Sequence, residues 1–401
     1  MTSELSNFAA RLRECILSEG WITRGPHFES SIQDRDSCNS SLRSDGVFNT
    51  LALELFTLQF AHNAAYRKIS EARGVTPRTV SHWSQIPVVI AGAFKELELT
   101  CLPPAQRTHV FHSSGTTEQR PSRHFHNAES LVVYEASLWA WFKRHILPDS
   151  EFVAGDLQLA LLAPPPTQAP QSSLVHMFET VRRKLGAPET SFFGCTDGGG
   201  SWRLDFDSAT RTLNFACRGK VPLLLLGTAF SFVHLLDTLA ETKMRFELPP
   251  GSRIIETGGY KGRSRSLPKA ELHALITERL AVPPSHIVCE YGMSELSSQA
   301  YDSVVSDQWR VARGAKASRS SSPVTRHFGF PPWARVQVIS PETGREVGEG
   351  ETGLIRVFDL ANVFSVMAIQ TEDLGIRRGE GFELIGRAER AESRGCSLMA
   401  V

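Results

Sequence analysis

The sequence has few cysteines, and none of them is paired in a motif. Its seven cysteines are scattered along 401 residues without a Cys-x-x-Cys spacing. Zinc sites and disulfide frameworks are normally marked by such pairs, so the sequence argues against a zinc protein. Scattered thiols are typical of proteins kept in a reducing compartment, and we therefore expect a cytoplasmic protein.

A surplus of charge of one sign is also missing. Lysine and arginine number 43, aspartate and glutamate also number 43, and the formal net charge at pH 7 is therefore zero. No overall field would draw the chain to nucleic acid or to an anionic membrane, and we expect neither as a partner. The first residues lack a basic stretch followed by an apolar run, so no signal peptide is expected.

Long apolar runs are equally rare. Segment 221–240 is the only candidate for a membrane span, and it contains His234 and Asp237. Ionisable groups are costly at the centre of a bilayer. We therefore predict a buried strand at this segment that leads into an amphipathic helix.

Short apolar runs that end in turn or helix signals recur through the first part of the chain. They predict strands at 157–163, 221–226, 252–256 and 286–289. Apolar residues at helical spacing predict a helix at 48–66, and Ser172 and Ser173 can cap a helix that runs through 176–185. Buried strands that alternate with helices are typical of a parallel sheet covered on both faces.

The pattern changes after about residue 330. Alternating runs at 334–339, 354–358 and 381–385 are separated by turn residues. Such spacing indicates antiparallel hairpins and predicts a smaller β-rich lobe. The polar and basic stretch 313–326 is interpreted as a surface loop.

The first candidate site is a loop rich in hydroxyl groups. It consists of Ser113, Ser114, Gly115, Thr116 and Thr117. Glycine lets a ligand approach the backbone closely, and hydroxyl and amide groups in such a loop can surround phosphate oxygens. A P-loop is excluded because the Gly-Lys-Ser/Thr ending is absent. A polar surface turn is the alternative.

The second candidate site is a glycine pair that follows a predicted strand. Gly258 and Gly259 would let a flat base lie against bare backbone, with Tyr260 beside them. Lys261 and Arg263 offer positive charge for a phosphate or a carboxylate. Taken alone, the segment is better explained as a glycine-rich strand-to-helix turn with solvated basic residues.

The third candidate site follows the predicted strand at 286–289. Tyr291 could stack on a base, and Gly292 and Ser294 lead to Glu295. Mg²⁺ is usually bound by few protein carboxylates together with phosphate oxygens, so Glu295 is a candidate ligand. The alternative is a carboxylate that favours a helix start through the helix dipole.

The fourth candidate site lies near the end of the chain. Asp373 could accept hydrogen bonds from both ribose hydroxyls, and Arg387, just after Gly386, could meet the same sugar or the phosphate. A hairpin turn with a surface ion pair is the alternative, and such a pair would contribute little.

In this order, the four segments resemble the ATP-binding signatures of the adenylate-forming superfamily of acyl- and aryl-CoA ligases. The chain is most similar to the acyl-protein synthetases of bacterial bioluminescence operons, from about Phe48 to the C-terminus. The resemblance implies an α/β fold: an adenylate-forming ligase N-terminal domain with two αβ sublobes and a small β-rich lobe, without the full mobile C-terminal domain. The implied divisions are an adenylation core at 1–330, a β-rich lobe at 331–386 and a short tail at 387–401.

The resemblance also implies roles for individual residues, with ATP and Mg²⁺ as cofactors. Phosphate binding falls to Ser113–Thr117, adenine contact to Gly258 and Gly259, magnesium to Glu295 and ribose to Asp373. Further nucleotide-binding candidates are Tyr260, Tyr291, Gly292, Ser294 and Arg387. Lys261 and Arg387 are candidates for the activating cations, and Cys396 stands where that family carries an acyl-accepting cysteine. Glu118 and Glu372 replace glycines that are usual in the superfamily.

We therefore expect an AMP-forming ligase that activates a carboxylic acid, such as a fatty acid, and passes the acyl group to a protein thiol. An acceptor protein or a reductase partner is expected beside the acid. The alternatives are an ester- or amide-forming synthetase, a CoA ligase, and a non-catalytic nucleotide-binding subunit. The sequence leaves the particular acid, the acceptor and the oligomeric state open.

Overall fold

A computed structural model describes residues 3–18, 45–113, 120–147, 157–196, 202–258, 267–304 and 326–388. Within these ranges the helices are α1 (Ser3–Leu17), α2 (Asp45–His62), α3 (Ala64–Ala72), α4 (Ala93–Glu96), α5 (Ala128–Ile146), α6 (Ser173–Leu185), α7 (Phe206–Gly219), α8 (Ala229–Glu241) and α9 (Lys269–Leu280).

The strands of the same ranges are β1 (Val89–Ile90), β2 (His109–His112), β3 (Arg123–His126), β4 (Gln158–Leu162), β5 (Gly194–Thr196), β6 (Trp202–Leu204), β7 (Leu223–Thr228), β8 (Arg253–Thr257), β9 (Ile287–Tyr291), β10 (Ala300–Val304), β11 (Arg326–Gly329), β12 (Ala334–Ile339), β13 (Thr352–Asp359), β14 (Ala368–Arg378) and β15 (Gly381–Arg387).

One large mixed sheet organises the molecule. Its strand order is β12-β13-β14-β15-β11-β10-β9-β8-β7-β4, and β1 adds to β14. Strands β4, β7, β8 and β9 run parallel to one another. The neighbouring pairs β9-β10, β10-β11, β11-β15 and β15-β14 are antiparallel. The predicted α/β class is confirmed. The predicted boundary between residues 330 and 331 stays a prediction, and the sheet is continuous across it.

The parallel strands form where the sequence predicted them. Strands β7 and β9 are buried along their whole length, and β4 and β8 are buried except at their first residue. Helices cover both faces of this half-sheet, as is usual for parallel strands. One layer contains residues of α7, α8 and α9, and the other contains residues of α5 and α6.

The helix predicted at 48–66 is instead two helices, α2 and α3. The break falls at Asn63, whose backbone is extended and whose side chain accepts a hydrogen bond from the amide of Tyr66 at 3.0 Å. Asparagine is a favoured N-cap because its side-chain oxygen replaces a missing helical acceptor. The helix predicted through 176–185 is confirmed as part of α6, which begins three residues earlier and has Ser172 as its N-cap.

Segment 221–240 forms strand β7 and helix α8, as predicted. Thr228 ends the strand and caps the helix, and its hydroxyl accepts a hydrogen bond from the amide of Ser231 at 3.0 Å. No helix among the described residues combines the length and the apolar character needed to cross a bilayer.

Candidate active site

Several candidate residues meet near the carboxyl ends of β8 and β9. Gly258 follows β8 with φ +70°, in the left-handed region that glycine adopts without strain. Gly292 follows β9, and a Cβ atom there would lie 2.4 Å from Oε1 of Glu290. The backbone after β8 therefore favours glycine, and a side chain at position 292 would displace the Glu290 carboxylate. In parallel sheets, ligands bind outside the carboxyl ends of the strands.

Tyr291 joins the third and fourth candidate segments. Its hydroxyl donates a hydrogen bond of 2.8 Å to Oδ2 of Asp373 on β14. Burial raises the pKa of Asp373, and the hydrogen bond from Tyr291 offsets part of that rise. The Asp373 side chain is 26% exposed, so it can also meet a ligand. One hydroxyl thus fixes the orientation of the carboxylate that was predicted to bind ribose.

Arg387 reaches the same place from β15. It is the register partner of Asp373, and its Nε lies 4.0 Å from Oδ1 of that residue. Its Nη2 lies 3.6 Å from Oε2 of Glu372, which gives the unusual carboxylate at that position a positively charged partner. The Arg387 side chain is 78% exposed and is held only loosely by these contacts.

Glu295 lies in the segment between β9 and β10. It is buried, and Oγ of Ser294 donates to its Oε2 at 3.1 Å. Burial raises the pKa of Glu295, while the hydroxyls of Ser122 and Ser294 and the charge of Arg387 work in the opposite direction. This buried carboxylate is surrounded by hydroxyl donors, and the charge of Arg387 acts on it only from a distance. It is therefore well suited to bind a further cation.

The hydroxyl-rich loop begins at the tip of the β2–β3 hairpin. The strands pair antiparallel, and beyond them Oγ of Ser113 accepts a hydrogen bond from the amide of Ser122 at 3.0 Å. On β3, Nδ1 of the buried His124 lies 2.8 Å from the carbonyl oxygen of Ser294. Burial lowers the pKa of His124 to about 4, so the neutral ring donates its Nδ1–H to that carbonyl. The hairpin is therefore attached to the segment that carries Glu295.

Asp359, the last residue of β13, anchors the segment that carries Glu295. Its carboxylate accepts hydrogen bonds from the amides of Ser297 and Ser298 at 2.9 and 2.8 Å and from the Ser298 hydroxyl at 2.7 Å. Nδ2 of Asn362 donates to the carbonyl oxygen of Glu295 at 2.8 Å. The backbone around Glu295 is thus fixed by side chains that are distant in the sequence.

The structure brings together part of the predicted site. At or just beyond the strand ends lie Ser113, Gly258, Tyr291, Gly292, Ser294, Glu295 and Arg387, and Asp373 within β14 is joined to them through Tyr291. Outside the described residues fall Ser114, Gly115, Thr116, Thr117, Gly259, Tyr260, Lys261 and Cys396. The roles of all these residues stay predictions.

Sequence reasoning missed His124, Glu290 and Asp359. Each is buried and contacts a site segment, but none belongs to a spacing pattern that marks a ligand. The apolar run of β9 could have suggested Glu290, because a carboxylate inside a fully buried strand is unusual. His124 and Asp359 act through contacts across the fold, which the sequence does not display.

The described side chains fit a magnesium–nucleotide complex. Mg²⁺ takes one or two protein carboxylates and completes its shell with phosphate oxygens and water, which suits the single buried Glu295 beside the hydroxyls of Ser122 and Ser294. Asp373 has one oxygen bound by Tyr291 and a second that can face a sugar hydroxyl. In the described part of the chain, no three His, Cys, Asp or Glu side chains form a metal cage of their own.

The fold is that of an adenylate-forming ligase. A crystal structure of 2-hydroxyisobutyryl-CoA ligase in the postadenylation state, in complex with 2-HIB-AMP, matches with a TM-score of 0.60 and 16% identity over 92% of this chain and 74% of that chain. An open conformation of that ligase, in complex with 2-HIB-AMP and CoA, matches with a TM-score of 0.59 and 16% identity over 92% of this chain and 77% of that chain.

The family follows from the sequence itself. The family model described as "Acyl-protein synthetase, LuxE" matches residues 29–400, and the chain belongs to this family. A long-chain-fatty-acid–luciferin-component ligase of Vibrio harveyi is 22% identical over 355 residues, which are 86% of this chain and 84% of that protein. Its counterpart in Aliivibrio fischeri is 24% identical over 208 residues, and the match spans half of that protein and 49% of this chain.

Fold and family together confirm the predicted enzyme class, an AMP-forming ligase that makes an acyl-AMP and transfers the acyl group. The use of ATP follows from that class. The family description also implies a carboxylic acid and a protein acceptor. Magnesium, the cytoplasmic location and any partner protein stay predictions.

Proposed function

We propose that this enzyme activates a fatty acid or a similar carboxylic acid with Mg-ATP and passes the acyl group to a cysteine thiol, that of Cys396. One observation carries the nucleotide assignment. The hydrogen bond of 2.8 Å between Tyr291 and Asp373 joins two segments that the superfamily pattern assigns to one nucleotide. The segment between β9 and β10 adds Glu295, the proposed magnesium ligand.

The first step forms the mixed anhydride. A carboxylate oxygen of the acid attacks the α-phosphorus of ATP, the bond between that phosphorus and the bridging oxygen breaks, and pyrophosphate leaves. Asp373 would hold the ribose, Ser113–Thr117 the phosphates, and Gly258, Gly259 and Tyr260 the base. Bound magnesium, held by Glu295, would neutralise phosphate charge. Positioning and charge neutralisation supply most of the catalysis in reactions of this type.

The second step transfers the acyl group. A thiolate attacks the acyl carbonyl, the carbon–oxygen bond to AMP breaks, and AMP leaves with the electron pair. A thiolate is the reactive form of cysteine, and nearby positive charge favours it. Lys261 and Arg387 are the cations proposed to stabilise the charge on the α-phosphate during the first step.

ATP–pyrophosphate exchange tests the first step. Purified protein with Mg²⁺ should exchange label between pyrophosphate and ATP only when a suitable acid is present. Glu295→Gln should reduce exchange by about 100-fold, since a preorganised electrostatic contact of this kind contributes about 3 kcal/mol. Glu278→Gln, at an exposed position on α9, is the matched control and should leave exchange unchanged. Folded protein that binds ATP but exchanges with no acid would favour the non-catalytic subunit.

The acceptor is tested separately. After incubation with labelled acid and ATP, mass spectrometry should locate one acyl group on the peptide that contains Cys396. Cys396→Ser should abolish this labelling and leave exchange intact. Cys195→Ser, an exposed cysteine on β5, is the matched control and should leave both reactions intact. Unchanged acyl transfer in Cys396→Ser would point to an external acceptor: CoA, an amine, an alcohol or a partner protein.

A further inference from the structure

Four strands at one end of the large sheet carry a row of side chains on a shared face. Gln337 on β12 is the register partner of Arg356 on β13, and Arg356 is the register partner of Gln370 on β14. Strand β1 adds Ile90, which pairs with Gln370. Register partners on neighbouring strands lie side by side on one face of a sheet. Ile90 is 59% exposed, so this part of the face is open to solvent.

Arg356 is the positively charged member of the row, and Gln370 holds it in place. Nε of Arg356 donates a hydrogen bond of 3.0 Å to Oε1 of Gln370. Gln370 is itself oriented, because its Nε2 donates to the carbonyl oxygen of Ile355 at 2.9 Å. A guanidinium group whose Nε is bound in this way keeps both Nη groups for other acceptors, and these two donors match two oxygens of one anion.

A second guanidinium group reaches the same pair of strands from the end of helix α3. Nη1 of Arg73 donates to the carbonyl oxygen of Val88 at 2.6 Å, and Val88 immediately precedes β1. Burial lowers the pKa of Arg356, and the charge of Arg73 lowers it further. The two guanidinium groups are therefore close enough to repel each other.

Neither guanidinium group is neutralised by a carboxylate in the described part of the chain. The hydrogen bonds to Gln370 and Val88 are the only ones that the two groups make there, and neither group forms an ion pair. Glu346 raises the pKa of Arg356, but its carboxylate lies 3.6 Å from Nε of Arg377 and is shared with that residue. A half-buried cation is normally paired, so two neighbouring guanidinium groups without a counter-ion indicate a site for an anion.

We propose that Arg356 and Arg73 form a binding site for a phosphate group, a function that goes beyond the proposed ligase reaction. A phosphate dianion matches the two positive charges and the fixed donors better than a single carboxylate does. A free phosphate anion and the headgroup of a lipid offer the same chemistry to the two arginines. Among the described residues, no hydrogen bond or ion pair joins either arginine to Tyr291, Glu295 or Asp373, so the site is separate from the proposed nucleotide site.

Inorganic phosphate is the first probe, used with the 401-residue chain in the absence of nucleotide. Isothermal titration calorimetry gives the dissociation constant, with chloride at equal ionic strength as the reference. Arg356→Gln and Arg73→Gln should each weaken phosphate binding by about tenfold or more, the value of a hydrogen bond to a charged group. Arg211→Gln removes an exposed charge on α7 and is the matched control, which should bind phosphate as the natural protein does.

Thermal unfolding separates binding from a structural role. Phosphate stabilises folded proteins in general, so the readout is the difference between variants. Phosphate should raise the unfolding midpoint of the natural protein more than that of Arg356→Gln, because a ligand that binds only the folded state stabilises it. Without phosphate, Arg356→Gln removes a repulsion and should not lower the midpoint. A midpoint lowered equally with and without phosphate would show a structural arginine and overturn the inference.

Vesicles distinguish the two sources of the phosphate. Sedimentation with phosphatidylcholine vesicles that contain phosphatidic acid, whose headgroup is a phosphate monoester, is compared with sedimentation with phosphatidylcholine alone. Capture by the first vesicles only, and its loss in Arg356→Gln, would identify a lipid headgroup. Binding of inorganic phosphate without capture would identify a free anion.

Three further results would overturn the inference. The first is a natural protein that binds neither inorganic phosphate nor the vesicles with phosphatidic acid. The second is an equal phosphate affinity in the natural protein, Arg356→Gln and Arg73→Gln, since the phosphate would then bind elsewhere. The third is a raised KM for ATP in the exchange assay of Arg356→Gln, which would assign the two arginines to the nucleotide. Exchange that is absent with every acid would contradict the proposed function and leave the phosphate site standing.

Discussion

At the scale of the residue, the Tyr291 hydroxyl determines how Asp373 is presented. Tyr291→Phe removes the 2.8 Å hydrogen bond without changing the size of the ring. Because burial already raises the pKa of Asp373 and this bond offsets part of the rise, the carboxylate should become less ionised and less well oriented. We expect the KM for ATP to rise by about tenfold, the value of one hydrogen bond.

The measurement is exchange as a function of ATP concentration. Tyr66→Phe removes a buried hydroxyl that donates to the carbonyl of Pro87 and serves as the control. An unchanged KM for ATP in Tyr291→Phe would contradict the assignment of Asp373 to the ribose.

The buried carboxyl group of Glu290 should make the free energy of unfolding depend on pH. Burial raises its pKa from 4.5 to about 7. Because the folded state holds this proton more tightly than the unfolded state, the resulting stability is complete below pH 4.5 and is lost as the pH rises through 7. Residue 290 cannot ionise in Glu290→Gln. The free energy of unfolding of this variant, relative to that of the natural protein, should therefore increase by about 3 kcal/mol as the pH rises from below 4.5 to above 7.

Urea unfolding of both proteins at a series of pH values provides the comparison. Glu278→Gln, at an exposed position, is the matched control. Parallel stability curves for Glu290→Gln would show that Glu290 does not change its protonation on folding.

Only part of this residue-scale detail could be predicted from sequence. The motifs led to Tyr291, Glu295 and Asp373 because chemistry at a nucleotide requires particular side chains in a particular order. The same reasoning missed His124 and Asp359, because their contacts with the Glu295 segment join residues far apart in the sequence.

At the scale of the element, the segment between β9 and β10 depends on Asp359. Its carboxylate accepts from the amides of Ser297, Ser298 and Ala361 and from the Ser298 hydroxyl. Asp359→Ala would leave three buried amides without this acceptor, and each unpaired group costs about 1–3 kcal/mol. We expect a loss of at least about 3 kcal/mol in the free energy of unfolding, together with a loss of exchange, because Glu295 lies in the same segment.

Asp205→Ala is the matched control for that variant. Asp205 caps helix α7 at an exposed position, and its Oδ1 accepts from the amide of Ser208 at 3.0 Å. The loss of an N-cap costs about 1 kcal/mol, and exchange should be unaffected. Equal effects of the two variants on stability, measured by urea unfolding, would contradict the anchoring role of Asp359.

The elements were easier to predict than the contacts between them. Strands β4, β7, β8 and β9 form where continuous apolar runs predicted them, because a strand covered on both faces needs apolar side chains throughout. The break between α2 and α3 was missed because apolar residues continue at helical spacing past Asn63. There the local cap overrides the longer pattern.

At the scale of the whole molecule, residues from both ends of the described chain are joined. Gln59 of α2 donates to the carbonyl of Asn362 at 2.7 Å and accepts from the amide of Met367 at 3.1 Å. The same buried cluster contains residues of α1 to α3 and of β13 and β14. The sequence indicated a separate β-rich lobe because the pattern changes near residue 330, yet a change of pattern does not show which strands pair.

This arrangement predicts that residues 1–330 do not fold by themselves. The fragment would lack β12 to β15, so β11 would lose its partner β15 and the buried faces of α2 and β10 would lose part of their cover. An edge strand without its partner and an exposed apolar face both favour aggregation. We expect the fragment to unfold without a cooperative transition in urea, followed by circular dichroism and tryptophan fluorescence, whereas the whole chain should show one transition with both probes. A sharp transition in the fragment would instead support a domain boundary at residue 330.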